Sequence, residues 1–361
     1  MGGGAGGGSQ GSRGHRPGRA IALGRRADRS VGLVGLECRC RWLLGRAGGL
    51  RSGPENTHGR LAAPHRGPIQ VKPPPFEYCR PDSIDEALEA LADASEDARV
   101  LAGGQSLVPL LNVRQVRPAR LVDINALVAE RYLTYTDDAL AIGCLARHVD
   151  FEDNPEINAR LPILGEAVKE LASPAVRNRG TFCGSLCHND PAAEWPLMAV
   201  LLDARLHVQS ASGVRQETAG GWLADRHSPA VAPRELLRRV EIGVPPPGAG
   251  WSFTEFNRRP GDVAIVSAAA LLTIEGGRVA SARLALGGVD RSARRLHQVE
   301  RLLEGETPSE ALWSAAAGEV PALLEPPTDL QATAGFRRHL AAQLTRRVFA
   351  EAEARATRKG T

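Results

Sequence analysis

Residues 177–196 read RNRGTFCGSLCHNDPAAEWP, and a second glycine-bearing stretch, LAGGQSL, occupies 101–107. Within them two loops, AGGQSL at 102–107 and RGTFCGSL at 179–186, each combine glycine with a small hydroxyl or amide side chain. Glycine tolerates φ > 0 and close backbone approach, so Gly103-Gly104 reads as a tight turn. Loops of this kind expose backbone N–H groups that hold phosphate oxygens without a side-chain cation. A dinucleotide cofactor needs such a cradle for its pyrophosphate. Plain turns share the composition, and neither loop matches GxGxxG or GxxxxGK[ST], which disfavours a Rossmann or P-loop reading.

The same stretch raises other chemistries. Cys183-x3-Cys187-His188 would offer two thiolates and an imidazole to a zinc ion. A second cysteine pair at suitable spacing is missing, so Cys183 and Cys187 read as small buried hydrophobes. No metal ligand is assigned, and no iron–sulfur cluster is expected within this chain. His188, Asp190 and Glu194 could serve acid–base work. The simpler reading of DPAAE (190–194) is a helix start, with Asp190 as cap and Glu194 in the first turns. Arg258, Arg259 and Asp262 precede an apolar strand and read as a solvated turn with a local ion pair. No G-x-S-x-G, H-E-x-x-H or EF-hand pattern occurs, and no catalytic residue is assigned.

Working outward, 161–172 reads as a helix with Leu161, Leu164, Val168 and Leu171 on one face. Residues 175–186 read as a loop, 191–204 as a buried helix and 205–210 as a strand. Upstream, Ser83 and Glu86 have capping-box spacing, and Ile84, Ala87, Leu88 and Leu91 follow on one helical face. Short strands are predicted at 99–101, 120–124 and 139–143. Downstream, the prolines at 245–247 make a stiff linker. Then 262–275 (DVAIVSAAALLTIE) is β-capable, Gly276-Gly277 is a turn, 279–287 alternates as a strand and the last helix covers 335–354. Strands followed by helices indicate an α+β domain.

The chain has 361 residues, a length for two or three domains at roughly 150 each. Its 43% hydrophobic and 24% charged content excludes a wholly disordered or collagen-like chain. No stretch approaches the roughly 18 uncharged apolar residues of a membrane span. The formal net charge of +4 divides into +9 over residues 1–70, with twelve Arg against three acids, and −5 over the remainder. A net negative body argues against nucleic acid as the main partner. Six cysteines are too few for a disulfide scaffold, and the first twenty residues lack the apolar core of a secretory signal, so a cytoplasmic location is expected. Residues 1–70 hold eighteen Gly and four Pro without a lasting period. They read as a disordered tail, an Arg-rich transit segment, or sequence lying before a true start near Val71.

With these pieces in order, the chain resembles the FAD-binding medium subunit of molybdenum hydroxylases. That family includes the carbon-monoxide dehydrogenase medium subunit and the xanthine dehydrogenase FAD-binding subunit. The likeness runs over about 72–355. It is carried by PFEYCRPDSIDEALEAL (75–91), LAGGQSLVPLLNVRQVRPARLVDI (101–124), AIGCLARHVD (141–150), the 177–196 stretch and EFNRRPGDVAIVSAAALL (255–272).

The resemblance implies an α+β fold. A two-part FAD-binding domain of vanillyl-alcohol-oxidase-like (PCMH) type covers 71–248, with subdomains 71–125 and 126–248. An α+β domain of the CO dehydrogenase flavoprotein C-terminal type covers 250–355. Leu101, Ala102, Gly103, Gly104, Gln105, Ser106 and Leu107 match the first FAD loop, and Thr181, Gly184 and Ser185 the second. His188 matches a position near the flavin, Glu194 one that accepts a hydrogen bond from the cofactor's hydroxyls, and Leu237 an apolar flavin contact.

The implied partners are a large molybdopterin subunit, a small iron–sulfur subunit and an external electron acceptor. The implied role is an oxidoreductase subunit that carries electrons between them on FAD, within a heterotrimer. The alternatives are a stand-alone FAD oxidoreductase of the same fold and a scaffold that has lost FAD. In one departure, TFCGS stands where TIGGS is common in the family, so Cys183 replaces a glycine. A requirement for φ > 0 there would give cysteine a steric cost.

Overall fold

The computed structural model describes residues 72–93, 97–224 and 231–358. The readings made for residues 1–70 lie outside the described residues. All described residues belong to one unit, Val71–Thr361.

The first layer is a parallel three-stranded sheet of order β1-β3-β2, built from β1 (Glu77–Cys79), β2 (Ala98–Leu101) and β3 (Arg120–Asp123). Helix α1 (Ile84–Asp93) joins β1 to β2 and buries Ala87, Leu88 and Leu91, the face expected from the sequence. Its start is held by Ser83 Oγ, which accepts from Glu86 N–H at 3.1 Å, while Glu86 accepts from Asp82 N–H at 2.9 Å. Helix α2 (Leu107–Asn112) follows the first glycine loop.

The second layer is an antiparallel sheet of order β4-β5-β8-β6-β7. Its strands are β4 (Leu133–Tyr135), β5 (Ala139–Gly143), β6 (Arg205–Ser210), β7 (Gly213–Thr218) and β8 (Leu236–Gly243). Between β5 and β6 come α3 (Pro155–Arg160), α4 (Pro162–Glu170), α5 (Pro174–Arg177), α6 (Phe182–His188) and α7 (Glu194–Leu201). Helix α8 (Ala219–Ala224) follows β7.

Three expectations are corrected here. Residues 175–186 are not a loop: they hold the end of α5 and most of α6. These helices have four and seven residues, too short for a period to show. The buried helix is shorter than 191–204, because Asp190 caps a turn and not the helix. Its Oδ1 accepts from Ala192 N–H at 2.9 Å, and α7 begins only at Glu194, four residues after Asp190, with every residue buried.

The prolines at 245–247 lead from β8 into a four-stranded antiparallel sheet of order β12-β11-β10-β9. Its strands are β9 (Gly250–Phe256), β10 (Val266–Glu275), β11 (Arg278–Gly287) and β12 (Arg294–Arg295). The third correction falls here: 262–265 is not strand but the end of a loop that reaches β10. Helices α9 (His297–Leu303), α10 (Glu310–Glu319) and α11 (Ala334–Arg358) cover this sheet. The order of elements is α+β, as expected.

Buried apolar residues form two clusters, one under the first two sheets and one between β10, β11 and the last helices. The first is centred on Phe151, Phe182 and Trp195, whose ring centroids lie 4.9–5.6 Å apart. Burying side chains of this size contributes roughly 1.5–3 kcal/mol each. The two halves are stitched where α7 meets the last sheet. Gly288 N–H donates to Pro191 C=O at 2.8 Å, and Arg283 and Arg295 both pair with Asp203.

Candidate cofactor-binding site

Strand β2 delivers the first loop. Gly104 has φ +72°, the left-handed region where glycine carries no Cβ penalty. Gln105 Nε2 donates to Gly103 C=O at 3.1 Å and tightens the turn. A Cβ on Gly103 would collide with the carbonyl oxygen of Arg179 and lie 2.7 Å from Gly180 Cα, so the two glycine loops touch here, backbone on backbone. Among the described residues, no acceptor takes the N–H of Gly103, Gly104, Gln105 or Ser106.

The second loop is built differently. Thr181 is the N-cap of α6, and its Oγ1 accepts from Gly184 N–H at 3.0 Å. A Cβ on Gly184 would lie 2.6 Å from that oxygen, which accounts for the glycine. Phe182 N–H donates to Ala146 C=O and Ser185 N–H to Thr181 C=O, both at 3.1 Å. The stretch is therefore a capped helix start stitched to β5's continuation. Cys183 sits in its right-handed turn and is absent from the residues with positive φ, so no steric cost attends the replacement of glycine. The helix closes on Asn189 at φ +52°.

Behind the junction lie residues that the sequence did not single out. Arg147 is 8% exposed. Its guanidinium donates to Arg179 C=O and to Asn125 Oδ1. Asn125 Nδ2 in turn donates to Ala102 C=O at 2.7 Å. Burial, with the charges of Arg179 and Arg131 nearby, pushes the Arg147 pKa down. Next in the chain, His148 accepts from Trp195 Nε1 at Nδ1, 2.8 Å away, and its ring packs on Gly180. Burial and the adjacent Arg147 hold its pKa down at about 4, so the imidazole is neutral with its proton on Nε2.

The two loops open on a cavity of about 580 Å³. Ala102, Gly103, Gly104, Gln105, Ser106, Leu107, Thr181, Gly184, Ser185, His188, Glu194 and Leu237 all line it. Leu101 lines an adjoining groove of about 400 Å³ that shares residues 102–105 and includes Asp123, Asn125 and Arg179. Leu237 reaches the cavity wall because the β6–β8 register shifts at His207/Val208, so Leu236 and Leu237 are both buried. The wall also includes Val100, His148, Leu171 and the segment 261–263. Asp262 thus faces the cavity, and the solvated ion pair expected of Arg258-Arg259 and Asp262 is not formed. Arg258 instead donates to the carbonyls of Leu330 and Gln331, each at 3.0 Å.

Carboxylates gather at one side. Burial raises Glu194 to about 7. Glu255, on β9, is raised to about 8 by burial and then by Glu194 and Glu170, and its Oε2 is buried without a hydrogen-bond partner. Three cysteines, Cys144, Cys183 and Cys187, also border the cavity as free thiols. Burial pushes Cys144 and Cys187 up to about 12 and raises Cys183 as well. Among the described residues no three His, Cys, Asp or Glu side chains come together as a metal site.

Paired glycine loops on a largely apolar cavity with a few polar groups are the arrangement of a nucleotide-cofactor protein, here of mixed α+β architecture. Comparison with known proteins specifies it further. Residues 74–245 match the FAD-binding domain of molybdopterin dehydrogenases, and 251–352 match the CO dehydrogenase flavoprotein C-terminal domain. The chain is 40% identical over 289 residues to the 6-hydroxypseudooxynicotine dehydrogenase complex subunit alpha of Paenarthrobacter nicotinovorans, covering 79% of this chain and 97% of that protein. Among solved structures it is similar to quinoline 2-oxidoreductase from Pseudomonas putida 86, with TM-score 0.75, 37% identity and 79% and 99% of the two chains covered. It is also similar to carbon monoxide dehydrogenase from Hydrogenophaga pseudoflava, with TM-score 0.76, 32% identity and 78% and 99% covered. The chain belongs to the FAD-binding medium-subunit family of the molybdenum hydroxylases, as a flavoprotein subunit of an oxidoreductase.

The residues present fit FAD. Gly103 to Ser106 line the cavity, and their N–H groups, without an acceptor among the described residues, are available to phosphate oxygens. Apolar wall from Leu237, Val100 and Leu171 suits a flat ring system. Among the described residues no helix is long and apolar enough to cross a membrane.

Proposed function

We propose that this chain is the FAD-carrying electron-transfer subunit of a molybdopterin-dependent hydroxylase or dehydrogenase. Electrons reach it from iron–sulfur clusters of a small partner subunit, after a large molybdopterin subunit has oxidised the substrate, and leave to an external acceptor. The work is done in the cytoplasm. The observation that carries this reading is the run of four N–H groups from Gly103 to Ser106 on the cavity wall, without an acceptor among the described residues, in a chain of this family.

FAD supplies the electron chemistry, and the protein supplies binding, orientation and exposure. In this reading the N–H groups of residues 103–106 take the pyrophosphate oxygens, and α6 forms the wall opposite. Ser185 and His188 face the cofactor from α6, Leu237 packs on its ring, and Glu194 takes a hydroxyl. We assign cofactor binding to 71–248 and the docking of α7 to 250–355.

The test is a visible absorption spectrum of the purified full chain before and after incubation with FAD and desalting. Retained flavin absorbance supports the reading. Colourless folded protein, both alone and co-purified with the large and small subunits, overturns it.

A further inference from the structure

Arg147 is a buried cation whose side-chain hydrogen bonds all go to neutral oxygens, those of Arg179 C=O and Asn125 Oδ1. The carboxylates whose charges reach it, Asp150 and Asp123, make no hydrogen bond to its guanidinium, although Asp150 accepts from the N–H of Arg147 at 2.8 Å. Asp150 is bound by Arg131 at 2.9 Å, and Asp123 accepts from Tyr78 at 2.6 Å and from Asn125. A buried charge without a direct counter-ion is expensive to keep, and a use for that charge would offset the cost.

Its position supplies one. The Arg179 carbonyl that Arg147 binds is the atom that abuts Gly103, at the contact between the two loops. Through Asn125, Arg147 also reaches Ala102 C=O, on the strand side of the same turn. Backbone pairing sets it there: Arg147 bridges Thr181, and His148 N–H donates to Gly180 C=O at 3.1 Å. One guanidinium thus ties both loops at the turn that carries the N–H groups of residues 103–106.

We propose that Arg147, braced by Asn125, is a positioning residue for the cofactor's diphosphate. It fixes the spacing of the two loops and supplies the positive charge behind the N–H cradle, and the diphosphate is its missing counter-ion. This rests on the FAD reading above.

The test uses the full chain, stripped of flavin and titrated with FAD and with ADP by calorimetry. Arg147→Met should raise the Kd for both by about 10- to 100-fold, the scale of a lost charged hydrogen-bonding group. At saturating FAD, the absorption and visible circular dichroism of the bound flavin should match wild type, because the flavin end is untouched. Arg147→Lys keeps the charge but cannot span both acceptors, and should fall between the two. Equal FAD and ADP affinities in wild type and a folded Arg147→Met protein would overturn the proposal. So would an altered flavin spectrum at saturation, which signals general collapse of the site. If Arg147→Met does not fold, Asn125→Ala decides: a weaker ADP complex supports the brace, and an unchanged one refutes it. Wild-type chain that takes up neither FAD nor ADP sinks the functional reading itself, and this inference with it.

Discussion

The two glycine loops share a composition and differ in construction. The loop after β2 is an open turn, with Gly104 at positive φ and its N–H groups unpartnered. The loop before α6 is a capped helix start, with three of its N–H groups taken by Thr181 and Ala146. Glycine is needed in the first so that a backbone can approach, and at Gly184 so that a threonine hydroxyl can cap. The same letters in a sequence therefore stand for an open turn in one place and a capped helix start in the other, both on the wall of one cavity.

Four substitutions sharpen or break that contrast, in falling order of effect on the cofactor. Gly103→Val should abolish FAD retention, with affinity falling roughly 100-fold, the upper end of what overpacking a tight contact does. Flavin surviving desalting in a folded Gly103→Val protein would show that the loops need not touch. Thr181→Val removes the α6 cap and should cost about 1 kcal/mol, seen as a Tm drop of about 2–4 °C. FAD affinity should move by less than about threefold, and a larger change would show that the Thr181 hydroxyl itself holds the cofactor. Cys183→Gly should lower Tm by a similar amount, about 1 kcal/mol of helix propensity, while titration shows FAD affinity unchanged.

The fourth variant moves away from the loops. Neither carries a carboxylate, so the pH response belongs to carboxylates outside them, among them Glu255, which feels the charge of the cavity-lining Glu194. Native Glu255 holds its proton to about pH 8, against an unfolded carboxyl near 4.5. Between those values the native state binds more protons, so this group's contribution to stability falls as pH rises from about 4.5 to 8 and is level above. Glu255→Gln should leave Tm unchanged at pH 4.5 and raise it by a few degrees at pH 8, read by thermal melts across that range. Parallel wild-type and variant melting curves would exclude Glu255 as the titrating group.

The sequence made some of this legible and not the rest. Ser83 with Glu86, the apolar face of α1 and the strands at 99–101, 120–124, 139–143 and 205–210 follow from local spacing, and the structure has each of them to within one residue at its ends. The 101–107 turn was legible because a glycine pair after a strand has few other uses. Helices α5 and α6 were not, because a four- or seven-residue helix holding Gly184 shows no period, and Thr181 caps without the glutamate that flags a capping box. Arg147, Asn125 and the His148–Trp195 hydrogen bond were hidden for another reason. Their partners lie 22 to 47 residues away in the chain, and only the pairing of 146–148 with 180–182 brings them together. Asp262 joins the cavity wall through a still longer connection, from the last sheet.

The three thiols on the cavity wall bear on the protein's chemical durability. A reduced flavin that meets oxygen generates peroxide, and peroxide attacks the thiolate rather than the thiol. Burial holds Cys144 and Cys187 at about 12 and raises Cys183, so all three stay protonated at any pH a cell maintains. The site can therefore place sulfur beside a redox cofactor without offering the nucleophile that would be consumed there.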